Sequence, residues 1–188
     1  MKRILLAGLL GALVVFTWGI LSWLVLPWHD VTLHQLPIAE PMLDVMRTNL
    51  PSSGVYAFPG HPENGSSEEM AEWREKYQRG PVGLLFYSPQ GKDPMSPVPY
   101  MIGFLLNFVT ATLAAYLLSL TLARTVHYRQ RVIFVARLGV FAALVSHIAL
   151  WNWMFLPVAY TIVMALDLIV GWVLAGLVIA WRIKPVSH

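Results

Sequence analysis

The chain has 188 residues, of which 57% are hydrophobic and only 12% are charged, and its formal net charge is +3. This composition is too apolar for an ordinary water-soluble domain and predicts an integral membrane protein. The chain contains no cysteine, which excludes disulfides, thiolate metal sites and thiol nucleophiles.

Four apolar stretches reach the roughly 20 residues that a helix needs to cross a hydrocarbon core of about 30 Å. They cover residues 4–26, 101–123, 132–156 and 158–181. Because no water satisfies backbone groups inside a bilayer, and because none of the stretches alternates as a barrel strand would, all four are expected to be helices. The first follows Lys2 and Arg3 as a secretory signal would, but its apolar run is long and no small-residue cleavage site follows, which favours an uncleaved anchor.

The predicted fold class is an all-α transmembrane four-helix membrane bundle with a small extracytoplasmic α+β cap between helices 1 and 2. The predicted segments are transmembrane helix 1 (1–26), the cap (27–100), helix 2 (101–123), a cytoplasmic loop (124–131), helix 3 (132–156), helix 4 (158–181) and a cytoplasmic tail (182–188).

Charge predicts the orientation of this bundle. The cap segment holds nine of the ten acids and five bases, which gives it a net charge of −4 and places it outside. The remaining bases fall at the opposite side, which is therefore expected to be cytoplasmic. The positive net charge of the chain is explained by this topology, so no nucleic-acid partner is predicted. These bases are Lys2, Arg3, Arg124, Arg129, Arg131, Arg137, Arg182 and Lys184.

The cap segment contains alternating helix and strand signals. Residues 41–50 and the stretch from Ser66 or Ser67 to Gln78 predict helices, the second one capped by serine with acids early and bases late. Residues 54–58 and 82–87 predict strands, which we expect to pair.

The last two predicted helices carry small and polar residues at every fourth position, so these residues share one face of each helix. Small side chains let two helices approach closely in lipid, and the two faces are equidistant from the turn at Pro157, so we expect 139 opposite 175, 143 opposite 171 and 147 opposite 167. The residues are Gly139, Ala143 and His147 in helix 3, and Asp167, Gly171 and Ala175 in helix 4.

Helix 2 repeats this layout, with Asn107 at a similar depth, and predicts an intramembrane polar cluster of Asn107, His147 and Asp167. Asp167 is the one acid within a crossing, where an uncompensated charge costs several kcal/mol. Three interpretations stay open: a polar clasp that fixes helix register, a site that handles protons or ions, and a contact with a partner.

Tryptophan prefers the headgroup level of a membrane, so an outer interface is predicted at Trp18, Trp23, Trp28, Trp151 and Trp153. For Trp18 and Trp23 a docking face for a partner or lipid is the alternative. His29, Asp30 and His34 place three metal-capable side chains close together, but ordinary surface residues are the favoured interpretation.

Motifs for enzymes are missing: the chain has no G-x-x-x-x-G-K-[ST], no G-x-S-x-G and no H-E-x-x-H. No catalytic residue, cofactor or metal site is therefore predicted, and a non-enzymatic function is favoured. A haem needs axial ligands facing one cavity, and only His147 lies well inside a predicted crossing.

Several short segments together are similar to an uncharacterised family of small bacterial four-helix inner-membrane proteins. They are Ser22-Trp23 through Trp28-His29, Gly54-Val55-Tyr56, Gly80-Pro81-Val82-Gly83 and Trp151-Asn152-Trp153. The resemblance implies location and topology only: the bacterial inner membrane, crossed several times, with both termini cytoplasmic. No site residue is carried over from it.

The predicted function is an accessory or scaffolding subunit that binds another membrane protein, or forms a homo-oligomer, within the lipid bilayer. The alternative is a small proton- or ion-coupled carrier or channel that uses Asn107, His147 and Asp167. A cavity that reaches Asp167 would favour the carrier, whereas a dry and packed site would favour the scaffold.

Overall fold

The computed structural model describes residues 1–63 and 65–185. They form two compact units. The helical unit contains Met1–Leu33, Met95–Ala149 and the chain from Pro157 onward, and the cap unit contains His34–Pro94 together with Leu150–Leu156. Residues 186–188 of the predicted cytoplasmic tail lie outside the described residues.

In chain order the elements are α1 (Lys2–Leu24), α2 (Ala39–Asn49), β1 (Gly54–Phe58), α3 (Ser67–Arg79), β2 (Gly83–Tyr87), α4 (Val98–Leu120), α5 (Tyr128–Ala143), a π-helical turn (Leu144–Ile148), α6 (Ala149–Trp153) and α7 (Val158–Arg182).

Four helices are long and apolar enough to cross a membrane, as the sequence predicts. They are α1, α4, the continuous segment Tyr128–Trp153 and α7. Their bounds differ from the predicted ones at α4 and α5, both of which begin earlier. Pro99 lies in the first turn of α4, where a missing N–H costs nothing. The main-chain N–H of His127 donates to Gln130 Oε1 at 3.1 Å, which satisfies one free donor where α5 begins.

Hydroxyl side chains bind the main chain where α4 ends, three residues before the predicted end at position 123. Thr121 Oγ1 donates to the carbonyl of Leu118 at 2.9 Å, and Thr125 Oγ1 donates to the carbonyl of Thr121 at 2.9 Å. Such bonds offer the backbone an alternative to a further helical turn.

Small residues build the contacts within the helical unit, where α1 packs against α4 and α7, and α5 packs against α7. A Cβ on Gly8 would lie 2.8 Å from Thr112 Cα, and one on Gly11 would lie 2.8 Å from Ile179 Cδ1. The buried core is correspondingly rich in alanine: Ala7, Ala12, Ala111, Ala114, Ala115, Leu118, Val135, Ala175, Ile179 and Ile183.

The α5–α7 contact has a different register from the predicted one. Gly139 lies against Trp172, because a Cβ there would come within 2.5 Å of Trp172 Cβ, and Gly176 lies against Val135. Gly171 faces Trp18 of α1 instead of Ala143. The prediction assumed regular helices and a tight turn at Pro157. A π-helical turn adds one residue to the first helix, and further residues form the link between α6 and α7. These extra residues change which positions of the two helices lie opposite each other.

Arg131 lies at the start of α5 and is buried, with 6% of its surface exposed. Its Nε donates to the carbonyl of Ala180 in α7 at 3.2 Å, and its Nη1 donates to the carbonyls of Thr125 and Val126. The guanidinium therefore ties the loop before α5 to the last turns of α7. These bonds give Arg131 a structural role, since a buried charge is retained only where it is bonded.

Two helices and an antiparallel pair of strands form most of the cap unit, and the predicted strand pairing is confirmed, with Val55 opposite Phe86. Ser66 caps α3: Glu69 N donates to Ser66 Oγ at 3.2 Å, and Ser66 N donates to Glu69 Oε2 at 2.7 Å. On the exposed side of α3, Lys76 Nζ lies 2.6 Å from Glu72 Oε1 and holds the pKa of that carboxyl below its ordinary value.

Candidate functional site

His29 is buried in the helical unit, with 1% of its surface exposed, in the turn that follows α1. Helix α1 ends at Leu24, shortly before Pro27, and the turn brings the histidine back against its last residues. His29 Nε2 and Ser22 Oγ lie 3.0 Å apart, and Ser22 is itself fully buried. The favoured expectation that His29 is an ordinary surface residue was therefore wrong.

Tryptophan rings enclose this histidine. The Trp23 ring is stacked on the imidazole with centroids 3.9 Å apart, and the Trp28 ring meets it edge-on at 5.6 Å. Trp28 Nε1 also donates to Ser22 Oγ at 3.0 Å. The buried Ser22 hydroxyl thus has two polar partners, His29 Nε2 and Trp28 Nε1.

Asp167 projects from α7 toward the same cluster. Its Oδ2 lies 3.7 Å from His29 Nε2, and 15% of its side chain is exposed. Trp18 Nε1 of α1 donates to the main-chain carbonyl of Asp167 at 3.0 Å. Gly171, one turn later, makes this possible because a Cβ there would come within 3.0 Å of Trp18 Cδ1.

The Asp167 carboxylate is only partly compensated. Its Oδ1 is buried and finds no hydrogen-bond donor within residues 1–63 and 65–185. The 3.7 Å between Asp167 Oδ2 and His29 Nε2 is within ion-pair range for a protonated imidazole but is too long for a hydrogen bond. A desolvated carboxylate of this kind gains free energy from any cation that reaches it.

The order of contacts differs from that of a Ser–His–Asp hydrolase triad. Such a triad uses one imidazole nitrogen for the serine and the other for the aspartate. Here Ser22 Oγ and Asp167 Oδ2 both face His29 Nε2, and Ser22 is fully buried. The cluster therefore lacks the relay geometry of such a triad.

A cavity of about 250 Å³ reaches Asp167 between α1, α4 and α7. We call it the Asp167 cavity; its lining is Val15, Phe16, Trp18, Gly19, Ile20, Tyr100, Asn107, Asp167, Leu168, Gly171 and Trp172. It brings together two of the three residues of the predicted polar cluster, Asn107 and Asp167. Four of its lining side chains are aromatic.

His147, the third residue of the predicted cluster, lies in the π-helical turn, which packs against α7. Among the described residues, the histidine within 4.0 Å of the Asp167 carboxylate is His29 and not His147. π-helical turns occur frequently at functional sites. His147 itself lies more than 4.0 Å from the Asp167 carboxylate.

The five tryptophans of the predicted outer interface occupy different surroundings. Trp18 and Trp28 are half-buried and bonded to Asp167 and Ser22, whereas Trp23 stacks on His29 and is 43% exposed. Trp151 and Trp153, which belong to the cap unit, are 43% and 74% exposed. The first three thus serve the site around Asp167.

An apolar groove of about 410 Å³ runs between α1 and α7, and Trp18 lines it as well as the Asp167 cavity. Its other lining residues are Leu13, Val14, Thr17, Leu21, Leu174, Leu177 and Val178. In the part of the chain that the structure describes, no three His, Cys, Asp or Glu side chains are grouped so as to hold a metal ion. Of these two spaces in the helical unit, the Asp167 cavity is the one whose lining includes a carboxylate and an amide.

No protein-family model, curated protein or solved structure matches this chain, so its function is inferred from the geometry around Asp167.

Proposed function

We propose that this chain is a small multi-pass protein of the bacterial inner membrane, with both termini cytoplasmic and residues 27–100 outside. Four helices of sufficient length and hydropathy support the crossings. The distribution of charge supports the orientation, because eight bases and no acid flank the cytoplasmic side and nine acids lie in the cap segment.

We further propose that it is a carrier that takes up and releases a proton or a small cation at Asp167. The observation that carries this proposal is the cavity of about 250 Å³ that reaches the carboxylate. A purely structural clasp needs a packed site, whereas a carrier needs access from outside to the group that binds the ion. Ionisable residues inside membrane proteins typically face such cavities and mark ion pathways.

The surroundings of the carboxylate fit reversible binding. An aspartate at the centre of a bilayer costs about 3 kcal/mol on insertion scales, and His29 at 3.7 Å offsets part of that cost. Complete pairing would make the acid inert, since its charge would already be satisfied. Partial pairing leaves Asp167 with a free-energy gain from a proton or a cation, which is what a coupling site requires.

Proteoliposomes that enclose a pH-sensitive dye test this function. An imposed ion gradient should drive proton movement through the wild-type chain, and Asp167→Asn should abolish it while helical content stays unchanged. Asp30→Asn is the matched control, because Asp30 is exposed and adjacent to His29 in sequence. Equal proton movement in Asp167→Asn and wild type would rule out a carrier role for this residue.

A second candidate function, the accessory subunit that binds another membrane protein, is favoured by one feature of the cap unit. Val55 and Phe86 are a cross-strand pair, so they share one face of the sheet, and they are 59% and 71% exposed. Helices α2 and α3 contribute no buried residue. An exposed apolar pair on a two-stranded sheet suits contact with a partner or with the membrane surface.

Gentle extraction from native membranes separates this candidate from the carrier. If a partner protein covers the pair, Val55→Thr combined with Phe86→Thr should remove that partner from the purified complex. Leu85→Thr, on the opposite face of β2 from Phe86, is a control for loss of sheet stability. A wild-type chain that is extracted as a solitary monomer would contradict the accessory function.

A further inference from the structure

We propose that the Asp167 cavity binds a small organic ammonium ion. This inference rests on the proposed carrier function and names the substrate class of the same site. It is carried by the combination of a single carboxylate with aromatic walls, a combination that recognises substituted ammonium groups through charge and through ring faces.

Aromatic side chains form much of the cavity wall: Phe16, Trp18, Tyr100 and Trp172. The electron-rich face of such rings attracts a cation, most strongly where water is excluded. Two of the rings are held in place. Phe16 packs edge-on against Phe104 with centroids 5.6 Å apart, and the Trp18 indole is fixed by its bond to the Asp167 carbonyl. Walls that are ordered before binding lose little entropy when a ligand enters.

The carboxylate of Asp167 supplies the negative charge that an ammonium ion needs. Its ion-pair partner His29 lies at 3.7 Å, and its Oδ1 has no donor among the described residues. The Asn107 amide, which also lines the cavity, offers a carbonyl oxygen that can accept from an N–H group of an amine or from the hydroxyl of choline. A bound ammonium ion would therefore add to the charge compensation through the 15% of the Asp167 side chain that is exposed.

Inorganic cations suit this cavity less well. Calcium takes six to eight oxygen ligands and magnesium demands an octahedral set. Side-chain oxygens in the lining come from Asp167, Asn107 and Tyr100, and the rest of the lining is aromatic, aliphatic or glycine. A volume of about 250 Å³ also lies below the usual range for drug-sized ligands, about 300 to 1,000 Å³, so the site fits a compact amine.

Isothermal titration calorimetry on the full chain in lipid nanodiscs tests the proposal with tetramethylammonium and choline as probes. Both should bind saturably. The neutral isostere of choline, 3,3-dimethylbutan-1-ol, should bind at least about tenfold more weakly because it lacks the charge that the carboxylate and rings recognise. Asp167→Asn should abolish the heat of choline binding.

A pair of variants at Tyr100 tests the aromatic wall without disturbing the core, because Tyr100 is 60% exposed. Tyr100→Phe keeps the ring face and should bind choline as the wild type does. Tyr100→Leu removes it and should weaken binding by about two- to fivefold, as expected for one cation–π contact. This comparison remains decisive if Asp167→Asn fails to fold.

The outcomes separate this inference from the proposed function. If neither probe binds, or if 3,3-dimethylbutan-1-ol binds as tightly as choline, the ammonium site is overturned, while loss of proton movement in Asp167→Asn would still support the carrier. If both probes bind and proton movement does not depend on Asp167, the ammonium site stands and the carrier function falls.

Discussion

Replacing Gly8 by alanine is expected to destabilise the helical unit by about 2 kcal/mol, because the added methyl overfills the α1–α4 contact. A Cβ at this position would lie 2.1 Å from Thr112 Oγ1 and 2.8 Å from Thr112 Cα. The second of these atoms belongs to the backbone, so rotation of a side chain does not relieve the clash. Helices α1 and α4 would have to move apart, and buried neighbours such as Ala111 and Ala115 would lose contacts along the whole interface.

Gly19 provides the matched control on the same helix. Nothing lies within 4 Å of a Cβ added there, so Gly19→Ala should leave stability unchanged or raise it by up to about 1 kcal/mol through helix propensity. Titration of both variants with sodium dodecyl sulfate in mixed micelles, followed by circular dichroism, measures the difference. Equal effects at the two positions would mean that α1 and α4 do not cross at Gly8.

The long apolar helices were predictable because their signal is local. A run of about 20 apolar residues has few alternatives to a membrane-spanning helix, and a serine before a run of acids marks a helix start without tertiary information. The cap of α3 at Ser66 and the β1–β2 pair accordingly agree with the expectation. Small residues also let α1 pack densely, because a Cβ at Gly8 or Gly11 would collide with the neighbouring helices.

The partner of Asp167 was not predictable from helix periodicity, because it lies outside any helix. His29 follows the end of α1 and reaches Asp167 only through the turn at Pro27. Spacing by four residues pointed to His147, and that argument assumed uninterrupted α-helix on both sides of Pro157. The π-helical turn at Leu144–Ile148 breaks the assumption and rotates the residues that follow it.

One signal in the sequence was available for His29. Two tryptophans and a serine lie close to it in the sequence, at Ser22, Trp23 and Trp28. A stretch with two large rings, a hydroxyl and an imidazole can fold into a local cluster that buries the histidine. Interpreting those tryptophans as a membrane belt explained each ring separately. It gave no reason for the hydroxyl of Ser22, which the structure places 3.0 Å from the imidazole.

His29→Leu is expected to destabilise the helical unit by about 3 kcal/mol, because it leaves a buried carboxylate without its ion-pair partner. Leucine keeps most of the volume, so the packing against Trp23 and Trp28 changes little, and the main losses are the contacts to Ser22 Oγ and Asp167 Oδ2. His34→Leu is the control, since His34 is exposed and its replacement should shift stability by less than about 0.5 kcal/mol.

The double variant His29→Leu with Asp167→Asn identifies the cause of this loss. If the cost arises from an uncompensated charge, removal of that charge should make the double variant more stable than His29→Leu alone, by about 1 to 2 kcal/mol. If the cost arises from packing, the two effects should add and the double variant should be the least stable of the set. The free energy of unfolding is measured in mixed micelles at neutral pH for the wild type, His29→Leu, Asp167→Asn and the double variant. A strictly additive result would contradict an electrostatic pair between the imidazole and the carboxylate.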